Sequence, residues 1–317
     1  MQAPVSRPLV SFIGIGNMGF GMMARLLEQG WPVQVCDIDS QRCADAAPLG
    51  ATVRATPREL ARAMPAGGLL VVAVVTADQC RDVLWGEPAE GTHGWGADAA
   101  AAHLQPGQTV MWCPTIAPDD VESMAQRLHA QGVHSIDAPM SGGPARARNG
   151  SMSLMVAGPD TVVQAHSEVL NALANPVFRL GERVGDGART KLVNNLLAGI
   201  NLVGAAEVLA LADAMGLDLP RTLDVIDRSS GQSWIATDRM RRAIDGDLAP
   251  RAHMTLLTKD TRLANEAAAA AGFSGPLGAR AAAVFHAACD HGLSELDDGA
   301  MLMFLQQYSS WQRSSVK

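Results

Sequence analysis

Aromatic residues are scarce in this chain of 317 residues, at 4% of the composition with a single Tyr. That shortage, beside an abundance of alanine, fits tightly packed helices and says nothing of function. Cysteine is also sparse. Cys36, Cys43, Cys80, Cys113 and Cys289 form no C-x-x-C pair and no metal-ligand spacing, so they read as reduced thiols, and a disulfide framework is not expected. The eight histidines are scattered without an H-x-x-x-H pair, which argues against a structural metal. Net charge is −7, with no Lys/Arg-rich run. No nucleic-acid or membrane partner is therefore expected. The first ten residues, MQAPVSRPLV, lack an apolar signal core, and residues 1–8 read as a loose tail. The longest aliphatic run, residues 69–75, is far too short to span a bilayer and reads as a buried strand. A cytoplasmic protein is expected.

What the chain does hold begins just after the tail. Residues 9–13 are an apolar strand candidate. Gly14, Gly16 and Gly19 follow at G-x-G-x-x-G spacing, and Met22, Met23, Leu26 and Leu27 then recur at helical spacing. Strand, glycines and helix in that order are the setting a dinucleotide loop requires. Gly14 allows the tight turn, Gly16 lets backbone approach a pyrophosphate, and Gly19 lets helix and strand pack closely. The loop residues Gly14, Ile15, Gly16, Asn17, Met18 and Gly19 are thus cofactor candidates, with the helix N-terminus facing the phosphates. A second strand candidate, residues 31–36, ends on Asp37, 18 residues after Gly19. A carboxylate there can accept the adenosine ribose hydroxyls. It would repel a 2′-phosphate, and no arginine comes before Arg42, so NAD is expected over NADP.

Strand and helix candidates keep alternating. Strands are expected over residues 69–75, 109–113 and 133–137, with helices over 57–64 and 119–131. This pattern predicts an α/β fold with a doubly wound parallel sheet, whose ligands lie beyond the carboxyl ends of the strands. Thr76, Thr115 and Asp137 fall on that edge. Residues 86–107 read as a long surface loop with one helical turn, with His93 and Trp95 as ordinary loop residues. Ser141, Gly142 and Gly143 then offer bare amides and a hydroxyl, a loop able to wrap a carboxylate or to serve as a simple turn. Further strands are expected over residues 151–157 and 177–180. A domain boundary falls in the polar, glycine-rich stretch that follows, giving domains 1–184 and 185–317.

Beyond Gly185 no convincing strand occurs. Residues 185–216 read as one long helix, with Asp186 as N-cap and Gly216 at its end. Its apolar residues point all round the cylinder, which predicts burial on every side and an oligomer whose helical domains pack together. Lys191 and Asn195, four apart, share a face near its start. Taken alone, the helix favours Lys191 as a lysine at a frayed, wet end. A second polar pair, Lys259-Asp260, lies in an otherwise apolar helix; Lys259 either reaches a cofactor or joins Arg262 and Glu266 on a solvated face.

Four blocks together resemble the β-hydroxyacid dehydrogenase family, which includes 3-hydroxyisobutyrate dehydrogenase, tartronate semialdehyde reductase and L-threonate dehydrogenase. They are GIGNMGFGMMARLL (14–27), DAPMSGGPARARNGSMSLMVAG (137–158), GDGARTKLVNNLL (185–197) and LLTKDTRLA (256–264). The resemblance implies an N-terminal Rossmann-type NAD-binding domain and an all-α C-terminal substrate and oligomerisation domain. A long interdomain helix would join them, with a cleft between. It implies that Ser141, Gly142 and Gly143 bind a substrate carboxylate, Lys191 is the catalytic acid/base, and Asn195 contacts substrate. It also implies that Lys259 touches the nicotinamide end of the cofactor and that Thr115 lines the nicotinamide site. Two departures stand out. Pro114-Thr115 replaces the usual Ser-Thr, and Ala249-Pro250-Arg251-Ala252-His253 lacks the phenylalanine usual before the lysine block. That block and Leu296-Asp297-Asp298 look closest to the L-threonate dehydrogenase branch. Arg251, His253, Ser233 and Trp234 are candidates for specificity. The implied activity is hydride transfer between NAD and a small hydroxy acid, such as an L-threonate-like sugar acid or 3-hydroxyisobutyrate. The alternatives are reduction of tartronate semialdehyde or a related aldehyde acid, and a dinucleotide-binding protein without catalysis. An imine reductase on the same scaffold would lack Lys191.

Overall fold

The computed structural model describes residues 7–90 and 94–314; His93 and residues 1–6 of the N-terminal tail lie outside the described residues. The chain divides into two compact units, Met1–Lys191 and Leu192–Lys317.

The first unit is built on a nine-stranded sheet. Its strands are β1 (Val10–Ile13), β2 (Val33–Cys36), β3 (Thr52–Val53), β4 (Leu69–Val72), β5 (Thr109–Trp112), β6 (His134–Asp137), β7 (Met140–Ser141), β8 (Ser153–Ala157) and β9 (Val177–Gly181). The order β3-β2-β1-β4-β5-β6 is parallel throughout, the doubly wound arrangement expected from the alternation of elements. Successive side chains of each strand feed opposite faces. Val10, Phe12, Leu69 and Val71 enter one core, while Ile13, Leu70, Val72 and Trp112 enter the other. A sheet covered on both faces explains why β1 and β4 are buried at every position. Past β6 the sheet is mixed. β8 runs antiparallel to both β6 and β7, and β9 is parallel to β8. β7 thus continues the direction of β6 after a break at Ala138-Pro139. Pro139 has no N–H for a ladder, and its carbonyl accepts from Met155 N at 3.0 Å.

Two local expectations are corrected. The strand predicted over 69–75 stops at Val72, because Thr76 opens the helix Ala77–Trp85 with a capping box to Gln79. Residues 86–107 hold two short turns where one is expected, and part of the stretch is buried. Short turns at Gly96–Asp98 and Ala101–His103 bury Ala100, Ala101 and Leu104, and Trp95 packs against the same core.

The long helix runs Asp186–Ala214, and the boundary between the units falls within it. Burial on every side does not hold. Leu192, Leu202, Val203 and Leu209 are buried, whereas Val193, Leu197, Val208 and Leu211 are exposed. Among the described residues it is one helix long and apolar enough to cross a membrane by length and composition, with a mean hydropathy of 1.6 over an 18-residue window. Lys191, Asn194 and Asn195 interrupt it near its start. The second unit continues with helices Leu219–Asp227, Trp234–Ile244, Met254–Ala270, Pro276–Ala288 and Met301–Ser314. They close over one core that includes Leu209, Met240, Phe285 and Phe304. As expected, no strand occurs in this half among the described residues; an isolated bridge joins His253 to Asp297.

Candidate active site

The glycine loop has the form its sequence predicts. Gly14 takes φ +88°, and a Cβ there would lie 2.9 Å from the carbonyl carbon of Ala73. A Cβ on Gly19 would meet the Gly14 oxygen at 2.3 Å, whereas one on Gly16 would meet nothing within 4 Å. Gly14 and Gly19 are therefore required by packing. Gly16 leaves open space above the loop, as a pyrophosphate needs. No side chain caps the helix Asn17–Glu28 that follows, so its first amides face the loop mouth. Asp37 closes the loop from the end of β2. Its Oδ2 accepts from Ile15 N at 2.6 Å and its Oδ1 from Asp39 N at 2.8 Å. Each oxygen keeps acceptor capacity for a ribose hydroxyl. Arg42 Nη2 donates to Asn17 Oδ1 at 3.0 Å, a loop contact the sequence did not reveal. These residues fit a nicotinamide dinucleotide. Thr76 is half-buried beyond β4, with its hydroxyl accepting from Gln79 N, so it acts first as a helix cap. Thr115 is half-buried beyond β5.

The Ser-Gly-Gly stretch lies where β7 ends. Ser141 pairs with Ser153 of β8, and Ser153 Oγ donates to the Ser141 carbonyl at 3.4 Å. Gly142 and Gly143 have φ +128° and +78°, a conformation side chains resist. Lys191 is 7% exposed, on the second turn of the long helix. This excludes a frayed, wet end. The start of that helix is held from across the sheet rather than by Asp186. Asp137 Oδ2 accepts from Gly185 N at 2.9 Å and from Ala188 N at 2.8 Å. Burial pushes the Asp137 carboxyl up to about 7, against the amides of Ala188, Gly185 and Gly187, which hold it down. Asp186 instead pairs with Arg189.

In the second unit a polar group surrounds Asp260. Asn195 Nδ2 donates to Asp260 Oδ2 at 2.6 Å, Asn194 Nδ2 donates to Asn195 Oδ1 at 2.9 Å, and Lys259 Nζ lies 2.8 Å from Asp260 Oδ1. Asn195 and Asp260 are both buried. Close helix packing allows this contact: a Cβ on Gly199 would strike Thr261 Cγ2 at 2.6 Å. Asp260 therefore organises two residues implied by the family resemblance, and its signal was a carboxylate inside an apolar helix. Arg262 pairs with Glu266 on the solvated side, apart from Lys259's pairing with Asp260.

The two blocks that set the branch resemblance also meet. Asp297 Oδ2 accepts from Arg251 N at 2.9 Å and Ala252 N at 3.3 Å, and Asp298 N donates to the Ala252 carbonyl. Against burial, the amides of Arg251 and Gly299 and the Arg242 guanidinium hold the Asp297 carboxyl below the usual range. Arg251 pairs with Asp247, and His253 Nδ1 lies 3.1 Å from the Glu295 carbonyl. Ser233 caps the helix Trp234–Ile244 through Ala236 N, beside a hollow of about 490 Å³ that Trp234, Thr237 and Asp238 also line.

A dinucleotide loop on a parallel sheet, an acidic strand end and a buried lysine define the class as a nicotinamide-dependent oxidoreductase. Residues 9–181 match the NAD-binding domain of 6-phosphogluconate dehydrogenase, and residues 185–305 match the NAD-binding family of NADP-dependent 3-hydroxyisobutyrate dehydrogenase. L-Threonate dehydrogenase of Cupriavidus necator is 36% identical over 296 residues, covering 92% of this chain and 94% of the relative. The Escherichia coli O6:H1 enzyme of the same name is 34% identical over 294 residues, with 92% and 93% covered. The crystal structure of a 3-hydroxyisobutyrate dehydrogenase from Salmonella typhimurium superposes with a TM-score of 0.84 at 33% identity, covering 93% of this chain and 99% of that one. The chain belongs to the β-hydroxyacid dehydrogenase family. It is an NAD-dependent oxidoreductase of hydroxy acids.

Proposed function

We propose that this chain oxidises a short sugar acid of the L-threonate type with NAD, and that Lys191 moves the hydroxyl proton. The observation that carries the proton role is a lysine 7% exposed on the second turn of a helix anchored to the sheet. When bound, NAD would supply the hydride acceptor for the carbinol carbon. The hydroxyl proton leaves with the hydride, and the Lys191 amine takes that proton as the carbonyl forms. In the reverse direction its ammonium returns the proton and stabilises developing alkoxide charge. The Ser141 hydroxyl and the amides of Gly142 and Gly143 hold the substrate carboxylate, and Asn195, one helical turn past Lys191, orients the substrate. Gly14, Ile15, Gly16, Asn17, Met18, Gly19, Asp37, Thr76 and Thr115 hold the cofactor, and Lys259 faces its nicotinamide end. The Asp37 carboxylate favours NAD by repelling a 2′-phosphate.

L-Threonate is preferred because both the 249–253 and 296–298 blocks look closest to that branch and because relatives so named are among the most similar. 3-Hydroxyisobutyrate and tartronate semialdehyde are the competing substrates. We further assign domains 1–184 and 185–317, a cytoplasmic location and a homo-oligomeric state. NAD reduction measured over a panel of C3 to C6 hydroxy acids tests the substrate. L-Threonate or a close sugar acid is expected to give the highest kcat/KM. A clear preference for 3-hydroxyisobutyrate overturns the assignment, and no turnover of any member overturns the proposed direction.

A further inference from the structure

β6 ends on Asp137, which is 1% exposed. Its Oδ2 takes the N–H groups of Gly185 and Ala188, and Gly187 supplies a further amide. Ala188 is the third residue of the long helix, the position whose amide an N-cap side chain commonly takes. A residue 51 positions away in sequence therefore does the work of a local cap. The contact is close-fitted. A Cβ on Gly187 would lie 2.8 Å from Asp137 Cγ and 2.7 Å from the Met155 oxygen. The backbone amides of Gly185, Gly187 and Ala188 are gathered on this one carboxylate.

The two directions out of this joint both lead to proposed substrate-handling groups. Past Asp137 the chain crosses Ala138-Pro139 into β7 and reaches Ser141, Gly142 and Gly143. From Ala188 the helix reaches Lys191 within a turn. The spacing between the carboxylate-holding loop and the lysine is thus set where one carboxylate meets one helix start.

We propose that Asp137 is a positioning residue, which fixes Lys191 relative to the Ser141–Gly143 loop. The proposal rests on the roles given above to Lys191 and to that loop. Displacement of a reacting group by about 1 Å can cost ~10²-fold in rate. Loss of the joint therefore slows turnover and leaves the distant glycine loop able to hold cofactor.

The test compares Asp137→Asn, Asp137→Ala, Lys191→Ala and the full-length wild type. NAD affinity is measured by titration calorimetry, and kcat and KM with the hydroxy acid the wild type turns over best. Asp137→Ala is expected to bind NAD within about two-fold of wild type while kcat falls ~10²-fold. Asp137→Asn keeps one acceptor oxygen and is expected to recover roughly ten-fold of that loss. Rescue by Asn, with the defect in kcat and not in NAD affinity, is what a merely structural role would not produce. If Asp137→Ala does not fold, Asp137→Asn alone decides: a kcat within three-fold of wild type, or loss of NAD binding, overturns the proposal. Lys191→Ala separates the premises. If it retains turnover, the role of Lys191 fails. If it loses turnover while both Asp137 variants keep theirs, only the positioning role fails.

Discussion

At the residue scale, burial and hydrogen bonding decide between readings that spacing left open. Lys191 alone resembled a peripheral lysine, and its 7% exposure removes that reading. Lys191→Ala is expected to keep NAD affinity and lose ~10²-fold or more in kcat, the range of general acid–base catalysis. Single-turnover NADH formation checks it, and a loss of only a few-fold would remove the proton role. Asp37 carries a second prediction. Its carboxylate bonds Ile15 N and Asp39 N as well as being available to ribose, so it should be neutralised without losing both bonds. Asp37→Asn combined with Ile38→Arg, at an 81% exposed position, is expected to raise the NADP/NAD ratio of kcat/KM by ~10-fold or more. An unchanged ratio would sink the ribose role.

At the element scale the three loop glycines are not equivalent. A Cβ on Gly19 overlaps the Gly14 carbonyl, so Gly19→Ala is expected to destabilise the chain by about 1–3 kcal/mol, seen in urea unfolding. A Cβ on Gly16 touches no protein atom within 4 Å. Gly16→Ala should leave unfolding nearly unchanged yet weaken NAD at least several-fold, and equal losses in both measurements would refute that separation. The long helix carries a pH dependence. Burial raises Asp137 to about 7 in the folded chain, against an ordinary value of 3.8. Its amides lower it less than burial raises it, Asp186 on the same helix raises it further, and the Cys113 thiol after β5 is close enough to feel its charge. The folded state then binds the proton more tightly than the unfolded one. Its contribution to stability is fully present below about pH 4 and lost as pH rises through about 7. Between pH 5 and pH 8 the wild-type Tm should fall relative to that of Asp137→Asn, which does not titrate. Parallel Tm curves would contradict the sign.

At the scale of the whole molecule, the exposed side of the long helix is the feature that a single chain leaves unexplained. Val193, Leu197, Val208 and Leu211 are each at least 46% exposed, and their helical spacing puts them on one face. Apolar positions in such a row favour burial against another copy. Sedimentation equilibrium is expected to find an oligomer, and Leu197→Glu with Leu211→Glu to shift it toward monomer; a wild-type monomer would end that assignment. The sequence by itself determined the α/β and all-α halves, because strand and helix periods depend on local hydrophobic patterning. It also marked Gly14, Gly16 and Gly19, because positive φ and close backbone approach restrict residue choice locally. Tertiary structure alone decided that Asp137, not Asp186, caps the long helix. It alone decided that Asp260 holds Asn195 and Lys259, and that the 249–253 stretch closes on Asp297. Each is a carboxylate meeting donors far along the chain. No spacing rule records such a pairing, because the fold creates both the burial that makes an unmet charge costly and the neighbours that meet it.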